Sequence, residues 1–189
     1  MIIDYQNQEQ MKELNFRIVK EYGHVLVCIE EDFEGVTFRN FPTIMSDGAN
    51  FENCIFEDMQ AVDISDGDMT SCMFSNIAEI RGNYTDFIKC KFSHCCSQGA
   101  FLTLDNVGSI EGCVFEGITA QGEGGYIIYS VYGKKKDVRE IKNCQFIGCE
   151  VENAEGDLIY CCYFRPLSSY KTIDIDNVDY ESCDFRKIK

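Results

Sequence analysis

Tryptophan is absent from this 189-residue chain, and proline and histidine occur only twice each. With two prolines and no Ser/Gly-rich or Pro-rich stretch, nothing marks a linker, so a single domain over residues 1–189 is expected. No apolar run approaches the roughly 18 residues of a membrane-crossing helix. The opening Met-Ile-Ile-Asp-Tyr-Gln-Asn-Gln-Glu lacks the basic and apolar regions of a secretory leader, which points to a cytoplasmic protein without a membrane partner.

Histidine scarcity also limits the chemistry. Cysteine nucleophiles need a base, and only His24 and His94 are available. His94 sits in Phe92-Ser-His-Cys-Cys96, between positions expected to face inward, so it reads as a solvent-facing corner residue. Cys95-Cys96 and Cys161-Cys162 are adjacent pairs and not the Cys-x-x-Cys knuckle of a zinc site. No metal, no cofactor and no catalytic residue is therefore expected. Nor is there a phosphate-cradling loop before a helix, for Gly122-Glu-Gly-Gly125 precedes a strand pattern.

Basic residues are scarce in one half of the chain. Residues 1–80 hold 16 acids against 4 bases, whereas residues 81–189 hold 16 against 13, so the net charge of −15 is concentrated N-terminally. Such a field repels nucleic acid and anionic membrane and attracts basic protein surfaces. The Lys134-Lys135-Lys136 run is too small to reverse this and reads as a loop tip.

What is abundant is cysteine beside phenylalanine. Cys-x-Phe recurs at Cys54, Cys72, Cys90, Cys113, Cys144 and Cys183, at intervals of 18, 18, 23, 31 and 39 residues, and Val36-Thr37-Phe38 occupies the same frame one period earlier. An apolar residue precedes each Cys by three (Phe51, Met69, Phe87, Ile110, Ile141, Tyr180). An apolar residue or Cys follows each Phe by three (Met59, Ile77, Cys95, Ile118, Cys149, Ile188). The central alternation is that of a strand with one buried face, and the three-residue steps suit bends. A second apolar ladder starts some residues after each Phe, at residues 61–64, 78–80, 99–102, 124–129 and 156–160. A short third segment is expected before each motif, as at residues 105–107 and 176–178. A unit this short cannot bury its apolar face alone, so neighbouring units must stack, Cys on Cys and Phe on Phe, about 4.8 Å apart. Of the twelve cysteines, most should therefore be reduced, buried, small hydrophobes instead of a disulfide scaffold.

The run from Ile110 to Ile118 and on through Gly124-Gly-Tyr-Ile-Ile-Tyr129 resembles the repeats of right-handed parallel β-helix proteins, the pectate-lyase-like superfamily. The resemblance covers roughly residues 33–188 and implies an all-β fold, a single-stranded right-handed parallel β-helix (solenoid). Pentapeptide-repeat and left-handed hexapeptide helices are rival architectures; against the latter, Asn50, Asp68 and Asp86 fall where apolar residues belong. Residues 1–30 lack the motif and read as an N-terminal cap. It should comprise a helix over 6–14 and strands around Phe16-Ile18 and Val25-Ile29, leaving the β-helix coils to residues 31–189.

The same resemblance suggests one alternative function, because β-helix lyases and glycosidases work with clustered carboxylates, often helped by Arg, Lys or calcium. The candidates are Asp63, Asp66, Asp68, Asp174 and Asp176, although no Arg or Lys lies near the first cluster in sequence. A structural interaction module is a further alternative. The favoured expectation comes from charge: residues 31–80 carry 11 acids against Arg39 alone. Over about three coils this is about one net charge per 1.4 Å, close to the ~1.7 Å of duplex DNA. The expected function is a non-enzymatic acidic inhibitor that occludes a basic, nucleic-acid-handling partner, without binding nucleic acid itself. Its expected contact residues are Glu52, Glu57, Asp58, Asp63, Asp66 and Asp68.

Overall fold

Backbone pairing carries the sequence repeat directly into space. The computed structural model describes residues 1–21, 23–105, 108–122, 124–132, 141–152, 159–163 and 184–186, and these are nearly all β, arranged in parallel sheets. Strands one repeat apart pair in register. Phe38 lies opposite Phe56, then Phe74, Phe92, Phe115 and Phe146 in turn. All six are fully buried, and successive ring centroids lie 4.6–5.2 Å apart with planes tilted by only 4–16°. The rings are stacked at close to the spacing the strands themselves impose.

Each repeat contributes strands to three sides of the stack. Side one carries the Cys-x-Phe strands. Side two follows it, with Thr43–Asp47, residues 61–65 and 79–83, Leu102–Asp105, Ile128–Tyr132 and Ile159–Tyr163. Side three consists of two-residue strands: Phe33–Glu34, Phe51–Glu52, Met69–Thr70, Phe87–Ile88, Ile110–Glu111 and Ile141–Lys142. The expected short segment is thus real but displaced. Asp105 ends a side-two strand, and the third strand begins at Ile110, because the apolar residue three before each Cys is what fills the interior there. Asn106, Val107, residues 176–178 and Cys183 lie outside the described residues.

Longer repeats absorb their extra residues beyond the Phe column. In the two 18-residue repeats, sides one and two form continuous strands, Ile55–Ser65 and Met73–Asn83. In the 23-residue repeat, Cys96–Ser97 adds a strand that pairs with Thr119–Ala120, which in turn pairs with Glu150–Val151. The columns on either side keep their register.

Corners fall where the sequence steps by three. One set of left-handed residues precedes the Cys column (Asn53, Ser71, Lys89, Asn143, with Gly35 and Gly112) and another follows the Phe column (Asn40, Asp58, Asn76, His94, with Gly117 and Gly148). Asn and Asp tolerate positive φ best among residues with side chains, which explains their recurrence at these points. The cysteines do more here than fill space. Each thiol donates to a main-chain carbonyl of the preceding repeat: Cys54 to Phe33, Cys72 to Phe51, Cys90 to Met69, Cys113 to Phe87 and Cys144 to Ile110, at 3.2–3.7 Å. Two hydroxyls do the same on side two and just beyond it, Ser130 from within its strand to Leu104 and Thr85 from beyond the end of its strand to Ile64. Gly67 allows two repeats to approach closely, since a Cβ there would meet the Ala49 carbonyl oxygen at 2.0 Å.

The N-terminal segment covers one end of the stack. β1 (Ile2–Asp4), which carries no repeat, pairs with the Phe38 strand and buries Ile3. α1 (Gln8–Leu14) starts two residues later than expected because the Asn7 side chain caps it, accepting from the Gln10 amide. β2 (Arg17–Glu21) and β3 (His24–Ile29) form an antiparallel hairpin, and β3 continues side two by pairing in parallel with Thr43–Asp47. Among the described residues, no helix is long and apolar enough to cross a membrane.

The ring column sets the stability. Phe92 touches rings above and below, so Phe92→Ala should cost about 3–5 kcal/mol through the cavity it leaves. Urea unfolding should show that loss, whereas a change under about 1 kcal/mol would mean the column is not a tightly packed interior.

Candidate functional site

Alternation along the two-residue strands of side three turns every second residue to solvent, and in the first repeats these residues are acidic. Glu34 lies opposite Glu52 and Glu52 opposite Thr70, while the inward partners Phe33, Phe51 and Met69 pack the interior. Beside them runs a ladder of short polar side chains. The Asn50 amide donates to Asp32 Oδ1 at 2.7 Å, the Asp68 amide to Asn50 Oδ1 at 2.9 Å and the Asp86 amide to Asp68 Oδ1 at 3.4 Å. Ser109 closes the ladder, donating from its amide and its hydroxyl to Asp86 Oδ1. Column and ladder border an open groove of about 570 Å³ containing Asp32, Glu34, Glu52 and Asp68, and no basic residue lines it.

Stacked carboxylates repel, but solvent weakens the effect. At one repeat spacing, two exposed charges in water cost under about 1 kcal/mol. Each buried aromatic beneath them returns about 1.5–3 kcal/mol. The interior therefore holds the acids in a line that they would not adopt on their own.

The six expected contact residues are divided among the sides. Glu52 and Asp68 share the groove with Asp32 and Glu34, which the sequence reading passed over. Glu57 is on side one, where it pairs with Arg39. Asp58 and Asp66 are exposed left-handed corner residues, and Asp58 accepts a hydrogen bond from the Asn76 amide group at 2.7 Å.

Asp63 is on side two, where the structure corrects a point about the carboxylate cluster. Arg81 lies directly opposite Asp63 one repeat later, so a cation does stand beside it although none is close in sequence. Arg81 Nε also donates to Glu79 Oε1 at 2.8 Å. Together with Glu21, His24 and Leu26 of the hairpin, these residues line a second groove of about 260 Å³. Burial raises the Asp63 pKa, Arg81 opposes the rise, and Glu79 and Asp105 add to it. Asp174 and Asp176 lie outside the described residues.

His94 is exposed at a left-handed corner, as its sequence position suggested. Among the described residues no three His, Cys, Asp or Glu side chains are grouped to hold a metal. The interior thiols are not alike in their ionisation: the neighbouring Cys72 thiol and burial push the Cys54 pKa well up and burial brings Cys95 to about 11, whereas hydrogen bonds from the Cys113 and Cys72 thiols lower that of Cys90.

No protein-family model matches the chain, and no curated protein matches it. A solved structure described as a PL6 alginate lyase complex with trisaccharide is similar over 82% of this chain and 42% of the lyase chain, at 12% identity and a TM-score of 0.50. This chain thus spans about two fifths of that lyase's length, and the likeness concerns the fold, supporting a β-helix-like stack of parallel strands. QnrB1, described as a plasmid-mediated fluoroquinolone resistance protein, aligns over 87% of each chain at 13% identity and a TM-score of 0.28. The Agl-KA catalytic domain aligns over 86% of this chain at 10% identity and a TM-score of 0.24.

The raised pKa of Asp63 gives a signed expectation. A folded-state pKa above the unfolded value favours folding at low pH, and that contribution is lost as pH rises through the folded pKa. Asp63→Asn should therefore raise the melting temperature at neutral pH, and the gain should vanish as pH falls below the ordinary carboxyl value of 3.8. Melting curves across this range would contradict the reading if the substitution destabilised the protein at neutral pH.

Proposed function

We propose that this chain is a right-handed parallel β-helix acting as a cytoplasmic, non-enzymatic binding protein, whose acidic side occludes the basic surface of a nucleic-acid-handling protein. The observation that carries the reading is the groove with four carboxylates and no basic lining residue. Asp32, Glu34, Glu52 and Asp68 span two repeat steps, roughly 10 Å, or about one charge per 3 Å, against ~3.4 Å between phosphates along one DNA strand. Lysine and arginine side chains that grip a phosphate backbone would meet charges at a similar pitch on a rigid support. An anti-CRISPR-like inhibitor or a toxin immunity protein would work in this way, by competition with nucleic acid.

A second reading rests on Asp63 and Arg81. A partly buried carboxyl facing an arginine in a groove is a constellation that carbohydrate-active β-helices could use, and the fold likeness to an alginate lyase is compatible with it. Charge argues against an anionic polymer, because the repeats that would hold it carry a net charge of −10 over residues 31–80, from 11 acids and Arg39.

Affinity capture separates the readings. The native chain should retain a basic protein that duplex DNA displaces. Glu34→Lys and Glu52→Lys together should reduce capture at least tenfold without lowering the melting temperature. Capture unaffected by these reversals would exclude the groove as the contact surface, and sugar release abolished by Asp63→Asn would favour the second reading.

A further inference from the structure

β2 is the outermost strand of side two. It pairs with β3 along one edge, and among the described residues nothing pairs with the other. Arg17, Ile18, Lys20 and Glu21 are all exposed, Ile18 by 47%. Glu21 lies opposite His24 with two residues between them, and in such hairpins the closing pair exchanges both backbone hydrogen bonds. Counting back in twos, Val19 and Arg17 also turn their N–H and C=O groups toward β3. Ile18 and Lys20 turn theirs to the free edge.

The sequence of this edge, Arg-Ile-Val-Lys-Glu, complements itself when laid antiparallel. About a two-fold axis at Val19, Arg17 faces Glu21 of a second copy and Glu21 faces the second Arg17. Val19 meets Val19, and Ile18 lies against the aliphatic stem of Lys20. The backbone agrees with the side chains, because Ile18 and Lys20, whose polar groups are free, become the hydrogen-bonded pairs of that register. Arg17 already has a partner in Glu30 at 3.3 Å, but both side chains are about two-thirds exposed, so exchanging it costs little.

We propose that β2 joins a second copy of this chain edge to edge across that two-fold axis, extending side two into one sheet shared by both molecules. Self-association is favoured over capture of a foreign strand because this chain itself carries the charge order that its free edge requires. The symmetry also closes the assembly at two, since pairing consumes the only β2 edge of each copy. The net charge of −15 opposes association at long range. Physiological salt screens that repulsion beyond about 8 Å and leaves the contact pairs in place.

Sedimentation equilibrium at physiological ionic strength tests this. The mass should rise with concentration from 21.6 kDa toward twice that value. Arg17→Glu and Glu21→Arg should each weaken association at least tenfold by setting like charges opposite one another. An equimolar mixture of the two variants should recover it, since each then offers the charge the other lacks. Ile18→Pro removes an outward-facing N–H without touching the β3 pairing, and should leave a folded monomer by circular dichroism. A chain monomeric at every concentration, association indifferent to both charge changes, or a mixture no better than either variant alone would overturn the proposal.

Discussion

In-register stacking of identical side chains is the constraint on which everything else in this protein rests. Parallel pairing fixes the rise between repeats, and flat rings fill that rise when laid face over face, as Phe56, Phe74, Phe92 and Phe115 do. A larger or tilted side chain would part the backbones, and a smaller one would leave a gap. The corner thiols obey the same limit, reaching back by one repeat to a carbonyl that sits at a fixed distance.

Because interior packing and backbone pairing set the register, most outward positions are free to vary. Side three shows this most plainly: its inward residues stay apolar from Phe33 to Ile141, while its outward residues run Glu34, Glu52, Thr70, Ile88, Glu111, Lys142. The charge changes sign along one column without any change of register. A partner that reads charge therefore meets different surfaces at the two ends of the stack, and the acidic end is the one the hairpin adjoins.

The interior was legible in the sequence because spacing encodes it. Cys-x-Phe and its apolar flanks located the two interior columns and the bends, and Asn53 and Asp58 fall inside the three-residue steps read as corners. The acidic groove was only half legible. Asp32 and Glu34 stand before the first motif, which has Val36 in place of Cys, so the Cys-x-Phe spacing does not mark them although they occupy the frame of Asn50 and Glu52. Counting one 18-residue repeat from Asp63 would likewise have found Arg81. β1 carries no such mark, since three residues with no repeat and no turn signal give periodicity nothing to act on.

The thiol column has a consequence for how the molecule can be interrogated. Cys54, Cys72, Cys90, Cys113 and Cys144 are hidden from solvent one per repeat, with Cys96 exposed outside the column. An alkylating reagent can reach an interior sulfur only while its own rung is open, so labelling rates resolved by position would chart where the rod frays and in what order. The chain carries, at regular intervals, its own chemical clock for local unzipping.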